Sequence, residues 1–176
     1  MTALAAGAIA PAFDLPGTDG ANHTWSEISG GNAALIVFTC NHCPYAKAWE
    51  DRLNAIASDY AARGVGTVAI SANDPVQYPE DSFEEMQRRA EEKNYSFPYL
   101  FDESQDVVRA YGAERTPEVF LFDDDGRLRY HGAIDDDSDE TQAAQPYLRD
   151  ALDALLEGNE PPVGDTAAVG CTVKWR

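Results

Sequence analysis

The chain has 176 residues, 44% of them apolar, with 13 basic against 31 acidic residues and a formal net charge of −18. That length carries one well-buried core and is short for two domains, and so acidic a chain is a poor partner for nucleic acid or an anionic membrane, both polyanions. No stretch reaches the roughly 18 apolar residues of a membrane span.

Met1 to Pro11 has no basic residue and no apolar run of secretory length, so the expectation is a cytoplasmic protein, where structural disulfides are rare. Phe13 to Trp25 alternates around Pro16-Gly17-Thr18-Asp19-Gly20 and predicts an N-terminal hairpin, with His23 facing solvent. Ala34 to Phe38 is a near-continuous apolar run of the kind buried parallel strands show. From Cys43 the spacing turns helical, with Trp49, Leu53, Ile56, Ala57 and Tyr60 on one stripe and Gly64 as a stop. Val65 to Ser71 is the next strand. Beyond a loop at Asn73 to Pro79, Ser82 to Lys93 reads as a charged, inserted helix, with Ser82 and Glu85 forming a capping box.

Phe97 to Phe101 predicts a short strand, and Gln105 to Tyr111 a short helix ended by Gly112. Val119 to Phe122 and Leu128 to His131 flank Asp123-Asp124-Asp125-Gly126, a hairpin signal. Gln145 to Leu156 is a last amphipathic helix with Leu148, Leu152, Leu155 and Leu156 facing inward. Acids cluster modestly at Asp123 to Asp125 and Asp135 to Glu140, as expected of a solvated surface. The order hairpin, βα, βα, βα, ββ, α indicates an α/β fold with a mixed sheet. A single domain is expected over residues 1–176, its core over about 7–158 and a tail over 159–176.

The chemistry concentrates at Cys40-Asn41-His42-Cys43-Pro44, where the apolar strand gives way to the helix. A Cys-x-x-Cys at such a turn reads as a redox dithiol. Cys40 is expected at the helix N-terminus, where unpaired N–H groups and the helix dipole favour a thiolate. The same pair reads alternatively as half of a zinc site completed by His42, His131 or Cys171, or as soft ligands for copper delivery. His131 otherwise reads as a strand-edge residue. Cys171, beyond the Pro-rich stretch Gly158 to Gly164, is either a second resolving thiol that reduces a Cys40–Cys43 disulfide or a small hydrophobe on a terminal strand. Trp25, Tyr45 and Trp49 read as core or rim aromatics.

Three segments carry a resemblance to a known family: Ala10-Pro11-Ala12-Phe13-Asp14-Leu15-Pro16, Phe38-Thr39-Cys40-Asn41-His42-Cys43-Pro44, and Tyr111-Gly112 leading to Arg115-Thr116-Pro117. Over roughly residues 7–158 the chain resembles the thioredoxin-like superfamily, in its redoxin branch related to the thiol-specific antioxidants (AhpC/TSA) and the membrane-anchored thioredoxin-like reductases. The resemblance implies a central mixed sheet flanked by helices, with a cis-proline loop at Thr116-Pro117 packed against the dithiol. It implies thiol–disulfide exchange in which Cys40 attacks a partner disulfide and Cys43 resolves the mixed disulfide. His42 would lower the Cys40 pKa, Pro117 would hold the loop that docks substrate, and Thr116 would offer substrate its main-chain hydrogen bonds. The implied partners are protein or small-molecule disulfides and a reducing thiol system, with no cofactor and no resident metal.

A His in the second intervening position also resembles strongly oxidising members, so the direction of electron flow is open. Two departures stand out. Where thioredoxin has a buried acid six residues before its first Cys, this chain has Ala34, so the resolving proton must move through another group, such as His42 or water, or move more slowly. The antioxidant pattern Pro-x-x-x-Thr-x-x-Cys is missing its Thr, because Cys40 lies three residues before Cys43 and Val37 three before Cys40. Arg115 falls near the Arg those enzymes use, which keeps thiol peroxidase as a second reading. A metal-binding or metal-delivery protein is the third, although copper chaperones of this fold space their Cys more widely.

Overall fold

Pro16 and Gly20 bracket a turn that folds Asp14–Pro16 (β1) back on Asn22–Thr24 (β2) in antiparallel register, Leu15 opposite His23. These are the first elements of a computed structural model that describes residues 3–139 and 145–176. Thr24 caps a short helix, Trp25–Ile28 (α1), by accepting the Glu27 N–H. The apolar run becomes Ala33–Phe38 (β3), buried along its whole length. Pro44–Ala61 (α2), Val65–Ser71 (β4), Phe83–Glu92 (α3), Tyr99–Phe101 (β5), Asp106–Tyr111 (α4), Arg115–Thr116 (β6), Glu118–Asp123 (β7), Leu128–Gly132 (β8), Tyr147–Leu156 (α5) and Cys171–Thr172 (β9) follow.

The central sheet has the order β5-β4-β3-β7-β8: β3, β4 and β5 run parallel, while β7 is antiparallel to β3 and to β8. Because side chains alternate along a strand, β3 feeds two cores. Leu35 and Val37 face Trp49, Leu53, Leu148 and Leu152 of α2 and α5, while Ala34, Ile36 and Phe38 face Val108, Tyr111, Phe120 and Phe122. The α3 insertion docks onto α2 through buried Glu50, which accepts from the Arg89 guanidinium and the Tyr95 hydroxyl. Both flanks of the sheet are covered. On β5, Thr18 N–H donates to Tyr99 and Gly17 bridges Leu100; on β8, His131 exchanges main-chain bonds with Gly164 and Thr166.

The fold is the thioredoxin-like one expected, with differences that have local causes. Strand β5 starts at Tyr99 because Pro98 has no N–H to give the ladder. Helix α5 starts at Tyr147, since Pro146 disfavours helical backbone at Gln145. Only half of the capping box forms: Ser82 Oγ accepts the Glu85 N–H at 3.2 Å, but the Glu85 carboxylate turns to Arg88. The Ser82 N–H is already used by Pro79, from a 3₁₀ turn over Pro79–Asp81. His23 does not face solvent. It is buried with Nε2 2.8 Å from Asp19 and Nδ1 3.1 Å from Glu27, because the turn and α1 bring carboxylates to both sides of the ring. The acid cluster from Asp135 is described as far as Asp139; Glu140 lies outside the described residues. No helix among the described residues is long and apolar enough to cross a membrane.

Phe120 sits on β7 against Phe38 at 5.7 Å and Tyr111 at 5.5 Å, edge to face. Phe120→Ala is expected to lower stability by about 3–5 kcal/mol through the cavity it leaves, read as a shift of the urea midpoint at unchanged slope.

Candidate dithiol site

Strand β3 ends at Phe38, and the chain crosses Thr39 to Cys40, Asn41 and His42 before α2 begins. Pro44 holds the first helical position, where its missing N–H costs nothing. Cys43 is therefore the N-cap. The expectation of Cys40 at the helix start is corrected: the helix begins one residue past the motif, and its positive end points at Cys43.

Cys40 is 5% exposed and Cys43 fully buried. Both meet the segment that closes β6: Cys40 Sγ lies 3.5 Å from Thr116 Oγ1, and Cys43 Sγ donates to the Thr116 carbonyl at 3.4 Å. The Thr116–Pro117 peptide is cis. When this pair loses one proton, the charge settles on Cys43, whose pKa falls to about 4: the Cys40 thiol donates to it, the Cys171 thiol adds a second bond, and the Ala46 and Cys171 amides favour the anion. The Ala46 amide does so from beyond full capping geometry. Cys40 goes the other way, well above the ordinary thiol range, because it keeps the shared proton, is buried, and feels the negative charge of Asp81.

Asp81 is the functional residue that the sequence hides. Fully buried at the end of the 3₁₀ turn, its Oδ1 accepts the N–H groups of Asn41 (2.8 Å) and His42 (3.3 Å). Its Oδ2 meets His42 Nδ1 at 2.5 Å and accepts Asn73 Nδ2 at 2.8 Å. The buried acid missing at Ala34 is thus supplied from another element. His42 is not hydrogen-bonded to either sulfur; its ring stacks on Tyr78 with centroids 5.4 Å apart. It does not hold the Cys40 pKa down as expected, because its near neighbour is the Asp81 carboxylate, whose charge acts on Cys40 in the opposite sense.

The C-terminal tail covers the pair. β9 pairs antiparallel with β6, Cys171 opposite Thr116 and Thr172 opposite Arg115, and half-buried Cys171 packs against Cys40, Cys43 and Ala46. The Thr116 main chain, expected to be open for substrate, is engaged by the protein's own tail. The Arg115 guanidinium, expected near a peroxide position, donates to the Gly170 carbonyl at 3.1 Å. Trp49 is core, its Nε1 bonded to Asp135, while Tyr45 is exposed and Trp25 partly buried.

His131 takes no part in a metal set with the cysteines: Nε2 is 2.6 Å from Glu118 and Nδ1 2.7 Å from Asp165. The donor atoms that do come together are those of Cys40, His42 and Asp81, within 4.8 Å of one another. Burial lowers the His131 pKa, but hydrogen bonds to Glu118 and Asp165 and their charges outweigh it, and the net shift is upward from 6.5. A raised histidine stabilises the fold fully below its unfolded pKa, and that stabilisation is lost as pH rises through the folded value. The melting-temperature gap between wild type and His131→Gln is therefore expected to be largest below pH 6.5 and to shrink as pH climbs above it.

The AhpC/TSA family model matches residues 6–131. A crystal structure of an uncharacterized conserved protein from Geobacillus kaustophilus is 42% identical, covers 98% of this chain and 93% of its own, and superposes with a TM-score of 0.93. Thiol-disulfide oxidoreductase ResA from Geobacillus thermodenitrificans is 26% identical over 73% of this chain and 69% of its own length. A thiol:disulfide interchange protein of the thioredoxin family from Chlorobium tepidum, 16% identical, shares the fold with a TM-score of 0.64 over 89% of this chain and 98% of its own.

Proposed function

The chain belongs to the AhpC/TSA family, and within it we propose a cytoplasmic thiol–disulfide oxidoreductase that cycles Cys40 and Cys43 between dithiol and disulfide. The observation that carries this reading is the convergence of both sulfurs on Thr116, one at its hydroxyl and one at its carbonyl. In the proposed cycle Cys40, the less buried of the two, attacks a partner disulfide and passes its proton to Cys43, against which it packs. Cys43 then attacks Cys40 Sγ, releasing the reduced partner. His42, Asp81 and Asn73 form a connected set of polar groups beside the pair that takes up the second proton. Thr116 and Pro117 hold the facing wall.

A reduced form stabilised by a low-pKa sulfur makes a dithiol more oxidising. The midpoint potential is therefore expected to lie above the value of about −270 mV found for thioredoxin. The test is equilibration of purified protein in a series of glutathione buffers, alkylation, and mapping of the thiols by mass spectrometry. Reversible interconversion of Cys40 and Cys43 supports the reading; a pair that stays fully alkylatable across the whole series sinks it.

Peroxidase chemistry is not favoured, since Cys40 stands where the peroxide-activating Thr belongs and Arg115 is committed to Gly170. Metal delivery has one observation behind it, the approach of Cys40, His42 and Asp81. Against it, the Asp81 oxygens already satisfy Asn41, His42 and Asn73, so a metal would have to break those bonds. A thiol pair blocked to alkylation until a chelator is added would favour it.

A further inference from the structure

The tail brings a third sulfur to the pair and fixes it there from both sides. Before Cys171, Gly170 lies so close to β6 that a Cβ would sit 2.0 Å from the Thr116 carbonyl oxygen, an approach that a side chain would block. After it, Val173 is buried and donates to the Glu114 carbonyl, the Lys174 N–H donates to Asn73 Oδ1, and Trp175 lies under Arg109 at 5.0 Å. Asn73 is the same residue that donates to Asp81, so tail and dithiol loop share one polar chain. Cys171 ends packed against Cys43 and is the most exposed of the three cysteines.

We propose that Cys171 is a third exchange thiol, which moves the disulfide from Cys40–Cys43 to Cys43–Cys171 and is the point at which reducing thiols enter the site. This rests on the oxidoreductase reading above. In the first step the Cys171 thiolate attacks Cys43 Sγ: the Cys43–Cys171 bond forms, the Cys40–Cys43 bond breaks, and Cys40 leaves with the electron pair and takes up the proton that Cys171 gave up. No net oxidation occurs. In the second step an external thiolate, a low-molecular-weight thiol or a protein dithiol, attacks Cys171 Sγ, half-buried but the most accessible of the three sulfurs, and expels Cys43. A second external thiol then frees Cys171 and leaves as the external disulfide.

Contact with Cys43 selects the sulfur attacked in the first step, from which Cys40, the poorer leaving group, departs only as it takes up its proton; the electrostatics set the nucleophile and the later leaving group. In the reduced protein, burial and the Cys43 sulfur push the Cys171 thiol up to about 11, while Lys174 and Arg115 pull it down. Oxidation of Cys43 removes its charge and leaves the two cations, so Cys171 becomes nucleophilic when there is a disulfide to attack. Cys43, with the lowest pKa of the three, is the best leaving group when the external thiol arrives.

The test oxidises wild type, Cys40→Ser and Cys171→Ser with diamide, maps disulfides by mass spectrometry, and follows reduction of the oxidised forms by glutathione. Cys40→Ser is expected to close a Cys43–Cys171 bond, and Cys171→Ser to form Cys40–Cys43 but be reduced at least tenfold more slowly than wild type. If Cys43 and Cys171 stay alkylatable in oxidised Cys40→Ser while wild type forms Cys40–Cys43, the third-thiol role is wrong and the oxidoreductase reading stands. A Cys43–Cys171 bond without slower reduction of Cys171→Ser overturns electron entry through Cys171. Absence of a Cys40–Cys43 disulfide in oxidised Cys171→Ser, together with a wild type in which all three cysteines stay alkylatable, removes the oxidoreductase reading and this proposal with it.

Discussion

Cys40→Ser is expected to abolish disulfide exchange, lowering the reduction rate of a model disulfide by about a thousandfold or more, the scale on which losing a covalent nucleophile acts. A hydroxyl keeps the size and the contact with Thr116 Oγ1 but supplies no thiolate, so the fold should be unaffected and the melting temperature nearly unchanged. Cys43→Ser should fail differently. It leaves the attacking sulfur in place and removes the one that resolves, so partner disulfides should accumulate as mixed disulfides on Cys40, visible as a mass increase under non-reducing conditions. A Cys40→Ser protein that still turns over at wild-type rate would mean that Cys43 or Cys171 makes the first attack.

Loss of Asp81 should cost as much stability as truncating a large core aromatic. Its two oxygens satisfy four partners at the dithiol loop, and leaving buried donors unpaired costs about 1–3 kcal/mol each before relaxation. Asp81→Ala is expected to lose about 3–5 kcal/mol, as for removing one member of a buried charged cluster. Asp81→Asn separates structure from electrostatics. Its Oδ1 still accepts the Asn41 and His42 amides, whereas its NH₂ faces the NH₂ of Asn73, so the loss should be smaller. In that variant the negative charge that raises Cys40 is gone, and the pH profile of Cys40 alkylation should move to lower pH. Comparison of urea midpoints and iodoacetamide rates for the two variants checks both statements.

The parts of this protein that were legible in the sequence are those written as runs and periods. Ala34 to Phe38 announced the central strand because burial on both faces demands an unbroken apolar run, and Trp49 to Tyr60 announced α2 because one stripe must face that strand. The site was legible only where it is local. Pro44 did hold the clue that Cys43 is the N-cap, since proline favours the first helical position, but the Cys-x-x-Cys spacing alone fits either register. Asp81 sits in a three-residue turn far along the chain, one acid among 31 Asp and Glu residues, and no periodicity distinguishes it. The pairing of Cys171 with Thr116 rests on strands of two residues each, too short to leave any alternation to read.

An open sheet has two flanks with unpaired main-chain groups, ready to template the addition of any extended segment that drifts past. Here β5 is covered by the turn at Gly17 and Thr18, and β8 by Gly164 to Thr166, part of the same tail that carries Cys171. The two covers are not equally secure. The first lies in a hairpin between folded elements; the second depends on a C-terminal segment held by its own short ladders. Shortening the chain ahead of Gly164 would uncover the His131 end of β8, its Leu128 end staying under Gly7 and Ala8, and offer that backbone to a second copy, so a trimmed protein should betray itself first by self-association on gentle warming, before its helices melt.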